Sequence, residues 1–388
     1  MRNRLFVLTV LAATQLFGWG SVNILPVLAA RIAADLSVSL PTVFLGSSVM
    51  FVSMGLAAPV AGRAFRRFGA QRVMAAGAAL LGCGILAVAA AQTVTVFLIA
   101  WGLTGAAGAL FLTTSAFAYI AEFTPDRARG MIGSLMLVTG LAGSVFWPVT
   151  GFLDHLAGWR GALMLYGAGL LLIVAPLSLV ALPATAPRGR AAEAPARRRG
   201  TGAVFWLIVL AITLNSFVTF GVEAVGIELF RAMGADLAQA VAIASLLGVI
   251  KVGGRLIDLA GGRRWDGLST ALVAGAMIPA GVAVLAFGGI GPVPLVAWLA
   301  LYGLGSGAFA VARATMPLVF YEKADYAAAM SAIALPMNLI NALAPPGLAA
   351  LMSAAGPRPV FGLLGGLSAA ALLVLWRLNA LRGLTAAR

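Results

Sequence analysis

The chain is built from long stretches that carry no charge. Leu40 to Gly62 and Val73 to Ala91 contain no charged residue, and apolar runs of roughly 18 to 26 residues recur from end to end. Such a run crosses a bilayer as an α-helix. A membrane strand would need only about 9–11 residues in strict alternation. Composition agrees: 62% of residues are hydrophobic, 10% are charged and the mean hydropathy is +1.02. A soluble domain has about 45–50% and about 25%. A water-soluble globule is excluded. One cysteine (Cys83) excludes a disulfide framework or a multi-cysteine metal centre, and one histidine (His155) leaves little for acid–base or zinc chemistry.

A basic loop occurs twice. Pro59 to Val73 reads PVAGRAFRRFGAQRV and Gly254 to Arg264 reads GRLIDLAGGRR. Aligned at an offset of 192 residues, Gly62 meets Gly254, Arg63 meets Arg255, Gly69 meets Gly261 and Arg72 meets Arg264. A repeat nearly half the chain apart implies two homologous halves.

Helices are expected at about 5–30, 40–62, 73–92, 94–121, 130–153, 160–182, 203–227, 237–258, 267–288, 294–320, 326–352 and 358–381, from run length and periodicity. The polar stretch from Pro183 to Gly202, rich in Pro, Ala and Arg, reads as a disordered cytoplasmic linker. The expected organisation is a six-helix bundle over 1–182, a basic linker over 183–202 and a second six-helix bundle over 203–388. Twenty of the 26 basic residues fall in alternate connections and the termini, and four (Arg31, Arg160, Arg231, Arg358) on the opposite side. Lys251 and Arg313 fall inside helices. This asymmetry puts both termini in the cytoplasm. Met1–Arg4 and the run that follows, continuing to Ala30, are read as an uncleaved first helix.

Two six-helix halves, a central basic linker and a Gly-Arg loop after helices 2 and 8 resemble the major facilitator superfamily over the whole chain. Of its loop motif G-x-x-x-D-R-x-G-R-R, Gly62, Arg67 and Gly69 match; Arg66 stands at the acidic position and Gln71 at a basic one. In the second copy Gly254 and Asp258 fit. Trp101 stands where many proton-coupled members have a helix-4 arginine. The helix-5 antiporter motif is half present, with Gly143, Pro148 and Gly151 but with Trp147 and Phe152. The run RARGMIGSLMLVTGLAGSVFWP followed by GWRGA is similar to bacterial members related to monocarboxylate porters. The resemblance implies an all-α membrane fold and alternating access, with a substrate site between the halves lined mainly by helices 1, 4, 7 and 10.

Several polar groups are candidates. Arg313 lies ten residues before Lys323, roughly 15 Å, near the middle of a ~30 Å core. It is either an anion site or a structural cation that pairs with a carboxylate, caps carbonyls or snorkels. Lys251, Arg255 and Asp258 share one face of helix 8, and Lys251 either faces a cavity or snorkels. Helix 7 carries the stripe Asn215, Thr219, Glu223. Glu223 and Glu228 are the carboxylates best placed for proton coupling, unless they are solvated interfacial groups. Helix 1 carries Gln15, Trp19 and Asn23, a substrate wall or packing glue. Tyr119 and Asn338 add polar groups on helices 4 and 11.

The expected substrate-binding set is therefore Arg313, Asn215, Thr219, Gln15, Trp19, Asn23, Tyr119, Asn338 and Lys251, with Glu223 for proton coupling. The expected cytoplasmic gate is Gly62, Arg63, Arg67, Gly69, Arg72, Gly254, Arg255 and Asp258. No phosphate-cradling glycine loop, Ser/His/Asp set or zinc motif occurs. The chain reads as a non-enzymatic transporter without cofactor or nucleic-acid partner. It would act as a monomer in the inner membrane on a small organic anion. Alternatives are an efflux antiporter for drugs or metabolites, or a transport-inactive receptor.

Overall fold

The computed structural model describes residues 4–124, 128–185, 202–261, 265–321 and 323–385. Most of the linker expected over 183–202 lies outside them, as do Arg263 and Arg264. The chain divides into two compact units, Met1–Ala192 and Glu193–Arg388. Among the described residues there is no strand.

Unit 1 contains α1 (Arg4–Val22), α2 (Leu25–Asp35), α3 (Leu40–Phe68), α4 (Ala70–Ala90), α5 (Val94–Phe111), α6 (Thr113–Phe123), α7 (Ala128–Thr139) and α8 (Ala142–Gly169). A π-helical turn (Leu170–Val174) and α9 (Ala175–Ala181) complete it. Unit 2 contains α10 (Ala203–Ala232), α11 (Leu237–Gly261), α12 (Gly267–Gly288) and α13 (Pro292–Trp298). A π-helical turn (Leu299–Gly303), α14 (Leu304–Thr315), α15 (Pro317–Phe320), α16 (Lys323–Ala355) and α17 (Pro357–Thr385) follow.

Side chains start several of these helices. Ser39 caps α3 by accepting from the Thr42 amide, and Asp266 caps α12 by accepting from the Ser269 amide at 2.9 Å. Asp236 and Gln239 form a reciprocal box at the start of α11: the Gln239 amide donates to Asp236 Oδ1 at 2.8 Å, and Gln239 Oε1 accepts from the Asp236 amide.

Ten tracts among the described residues are long and apolar enough to span a membrane. One, Met131–Ala181, holds 51 residues, roughly 75 Å if straight, more than twice the ~30 Å hydrocarbon core. It is broken inside α8 at Gly158, whose φ of +68° is left-handed backbone that suits glycine. Helices 5 and 6 of the sequence reading both fall in this tract. Helix 11 coincides with α16, which carries Pro336, Pro345 and Pro346 and is not among the ten.

The two units repeat one neighbour pattern. In unit 1, α4 packs on α5 and on α8–α9, and α5 packs on α3. In unit 2, α12 packs on α14 and α17, and α14 on α11. Small residues allow the close approaches. A Cβ on Gly105 would overlap the Met50 carbonyl of α3. One on Gly254 would overlap Leu304, and one on Gly307 would overlap the Lys251 carbonyl. Backbones that meet this closely are how membrane helices associate without a hydrophobic driving force.

Candidate functional site

Unit 2 holds the intramembrane cations. Lys251 stands near the middle of α11, where Gly307 of α14 crosses it. Its Nζ forms an ion pair with Glu223 Oε1 on α10, and the Lys251 and Glu223 side chains are 17% and 36% exposed. A lone charge at this depth is costly, and mutual pairing is how intramembrane ions are accommodated. The remaining helix-7 groups turn inward on their own helix. Asn215 is fully buried, its Nδ2 donating to the Ala211 carbonyl at 3.2 Å, while Oδ1 has no partner among the described residues. Thr219 Oγ1 donates to the Asn215 carbonyl at 2.9 Å. Glu228 is not a solvated interfacial group: it is buried and pairs with Arg231 at 3.1 Å.

Arg313 has a different environment. Its Nη1 donates to the Met337 sulfur of α16 at 3.7 Å, and no carboxylate among the described residues pairs with it. The helix that carries it begins at Pro292 and, after an interruption at Met316, ends at Phe320. Arg313 is therefore about 10 Å from the C-terminal end and about 30 Å from the start. The mid-bilayer placement counted from Lys323 shifts toward the C-terminal third, and Lys251 is the cation nearer mid-depth. On α16, Asn338 is exposed, and Asn341 Oδ1 is buried without a partner among the described residues.

Unit 1 is organised around broken helices, with interruptions between Val22 and Leu25, at Leu112, and at Gly140–Leu141. Each break releases backbone groups that must be satisfied inside the protein. Gln15, fully buried, donates from Nε2 to the Phe111 carbonyl at 2.7 Å. Trp147 donates from Nε1 to the Asn23 carbonyl at 2.9 Å, and Trp19 from Nε1 to Thr113 Oγ1 at 2.6 Å. The side chains of Gln15 and Trp19 are thus engaged at the helix breaks, while Asn23 offers its backbone carbonyl there; Trp19 and Asn23 are half-buried. Tyr119 is fully buried and donates to the Pro183 carbonyl at 3.0 Å, holding the chain where it leaves α9. Trp101 is fully buried too; its ring fills the space opposite Gly46, where a Cβ would lie 2.7 Å from it. Tryptophan at the arginine position of helix 4 therefore packs α5 on α3.

Arg63, Arg66, Arg67 and Arg72 of the loop are exposed, and Arg67 lies over the Phe68 ring at 5.2 Å. Gly62 is half-buried. Gly69 has φ +82°, and a Cβ there would strike the Thr185 carbonyl. Thr185 Oγ1 accepts from the Ala70 amide at 2.9 Å. Gln71 donates from Nε2 to the Leu179 carbonyl and, at 2.8 Å, to the Leu182 carbonyl. The glutamine that departs from the motif caps the end of α9. We expect Gln71→Ala to cost about 1–3 kcal/mol, because two carbonyls lose their donor; denaturation of the purified protein measures it. The side chains of Arg255 and Asp258 lie outside the described residues, though both positions fall within α11.

Unit 1 is closed at its other end by charge. Arg31 pairs with Asp154 at 2.9 Å. Arg160 pairs with Asp35, donates to the Ala91 carbonyl at 2.8 Å and stacks over Trp159 at 4.2 Å. Arg160, just past the Gly158 break inside α8, thereby joins α8 to the ends of α2 and α4, a role the sequence did not show. The GWR segment marked it, but its partners come from the ends of helices distant in sequence.

A family model described as Major Facilitator Superfamily matches residues 8–284. The chain belongs to the major facilitator superfamily. It is a multi-pass membrane protein, and the family and fold are those of non-enzymatic transporters. Over 131 residues it is 30% identical to monocarboxylate transporter 1 of Rattus norvegicus and, equally, of Homo sapiens. That alignment takes 32% of this chain and 25% of each relative, so the chain matches about a quarter of their length. Among solved structures, a bacterial homolog of the human lysosomal transporter Spinster superimposes with a TM-score of 0.73 at 17% identity, covering 98% of this chain and 96% of that one. The nucleoside transporter NupG gives 0.78 at 15% identity, covering 97% and 100%. These two likenesses show the fold.

Proposed function

We propose that this superfamily member carries a small, monocarboxylate-like organic anion across the cytoplasmic membrane by alternating access, through twelve helices with both termini cytoplasmic. Arg313 carries the reading. It is a guanidinium inside a spanning helix whose described partner is a thioether rather than a carboxylate. A planar guanidinium suits a carboxylate through two parallel hydrogen bonds. The similarity to monocarboxylate transporter 1 over 131 residues supports the same substrate class. Glu223 remains the carboxylate proposed for proton coupling, although its pairing with Lys251 means that Lys251 must move before it takes a proton.

Cationic drugs are the less favoured cargo. They require an acceptor carboxylate, and both acids of α10 already face a basic partner. The test is uptake into liposomes holding the purified protein, with labelled propionate, a nucleoside and a cationic dye offered in parallel. Saturable propionate uptake, competed by other small monocarboxylates, is the expected result. Transport of the nucleoside or the dye without any carboxylate transport overturns the assignment.

A further inference from the structure

Unit 1 carries an apolar groove on the outside of three spanning helices. α5 packs on both α3 and α4, which meet each other much less, so α5 lies between them. Leu103, Ala106, Ala107 and Leu110 of α5, at i, i+3, i+4 and i+7, form the floor of a cavity of about 340 Å³. Ala57 and Val60 of α3 wall it on one side, and Leu80, Cys83 and Gly84 of α4 on the other. Val60, Leu80, Cys83 and Leu103 are exposed, and no charged or amide side chain lines the cavity. Gly84 abuts Thr104 and Gly105 abuts Met50, so Met50 and Gly84 share a level. From that level to Val60 is ten residues, roughly 15 Å, the depth of one leaflet of a ~30 Å hydrocarbon core.

Arginines stand at one end of this groove. On α3 the exposed residues Val52, Leu56, Val60, Arg63 and Arg67 fall at i, i+4, i+8, i+11 and i+15, so one outer face runs from hydrocarbon to charge. On α4 Arg72, Ala76, Leu80 and Cys83 repeat that spacing, and all four are exposed. Arg63 is thirteen residues from Met50 and Arg72 twelve from Gly84, so both stand roughly 18–20 Å beyond the shared level. The stretch from Pro59 to Val73 holds no acid, and among the described residues none of these arginines pairs with a carboxylate. Phe68, exposed beside Arg67, adds an aromatic ring where the helix leaves the core.

We propose that the groove and its arginines bind one anionic phospholipid. An acyl chain lies over α5 between α3 and α4, and Arg63, Arg67 and Arg72 hold the headgroup phosphate. Guanidinium groups suit phosphate through paired hydrogen bonds. Charge complementarity selects the lipid: three arginines without an acid favour a net negative headgroup over one whose own ammonium cancels its phosphate. The groove selects a lipid over a soluble anion, because an anion alone leaves an apolar cavity of one-leaflet depth unfilled. The site is independent of the cargo. In the topology proposed above it faces the cytoplasmic leaflet, where anionic lipids give a negative surface potential.

The experiment uses the full chain in liposomes with a trace of phosphatidylglycerol that carries a diazirine midway along one chain. After illumination the adducts are mapped by peptide mass spectrometry. They are expected to concentrate on α3, α4 and α5 at the groove. Unlabelled phosphatidylglycerol is expected to displace them better than phosphatidylcholine of the same chains. Each of Arg63→Gln, Arg67→Gln and Arg72→Gln should lower that preference by up to about five-fold, the effect of one surface arginine, and the triple variant should erase it. Ala57→Phe fills the groove from α3 and should remove the adducts; Leu80→Trp does so from α4 and guards against a folding defect in either. Glycerol phosphate, a headgroup without chains, should displace nothing. Equal displacement by the two lipids, adducts spread evenly over the outer helices, or displacement by glycerol phosphate overturns the proposal.

Discussion

Arg313→Ala is expected to abolish saturable carboxylate uptake while the protein still folds. Removing one partner of a buried, hydrogen-bonded charge pair costs roughly 2–5 kcal/mol, which corresponds to about thirty-fold to several thousand-fold in affinity. Arg313→Lys keeps the charge but loses the planar fork, so its binding falls between wild type and alanine. Stability moves the opposite way. The guanidinium donates to a sulfur, a weak acceptor, and an arginine in a spanning helix is costly, by about 2.5–3.5 kcal/mol at the helix centre on the insertion scale and by less toward the end where Arg313 lies. The alanine variant is therefore expected to melt at the same or a higher temperature. Binding and uptake in liposomes, with melting curves of the same preparations, check both halves. Normal uptake by Arg313→Ala makes the arginine structural and removes the main support for the organic-anion assignment.

Gly307→Ala destabilises the second unit more than its single methyl suggests. The added carbon lands on the Lys251 carbonyl of α11, and backbone cannot step aside as a side-chain tip can. Overpacking of this kind costs about 1–3 kcal/mol, against a helix-propensity gain of up to about 1 kcal/mol for replacing glycine. Pushing α11 away from α14 also moves Lys251 relative to Glu223, so transport is expected to fall with stability. Gly362→Ala on α17 is the control, because a Cβ there meets nothing within 4 Å and the propensity gain is left alone. Thermal unfolding of both variants in detergent measures the difference. Equal melting temperatures would mean that the α11–α14 crossing relaxes without cost.

Much of the molecule follows from local pattern. Uncharged runs such as Leu40 to Gly62 leave a helix across lipid as the solution, since hydrocarbon satisfies no backbone group. The loop repeated at Gly62 and Gly254 marks the two halves. These signals lie within one helix or one loop, where run length and spacing carry them.

Tertiary structure decided how the polar groups are used. Glu223 and Lys251 are candidate functional charges when each is read along its own helix; that they pair depends on how α10 and α11 face each other. Gln71 reads as a lapse in a motif until the end of α9 arrives beside it, and Trp147 as another until the break in α1 presents the Asn23 carbonyl. Trp101 becomes a packing residue because Gly46 on α3 leaves room for its ring. The physical reason is the same throughout. Lipid dictates which segments become helices, but the partners of these side chains lie on other helices, and helix crossings set which partners come within reach.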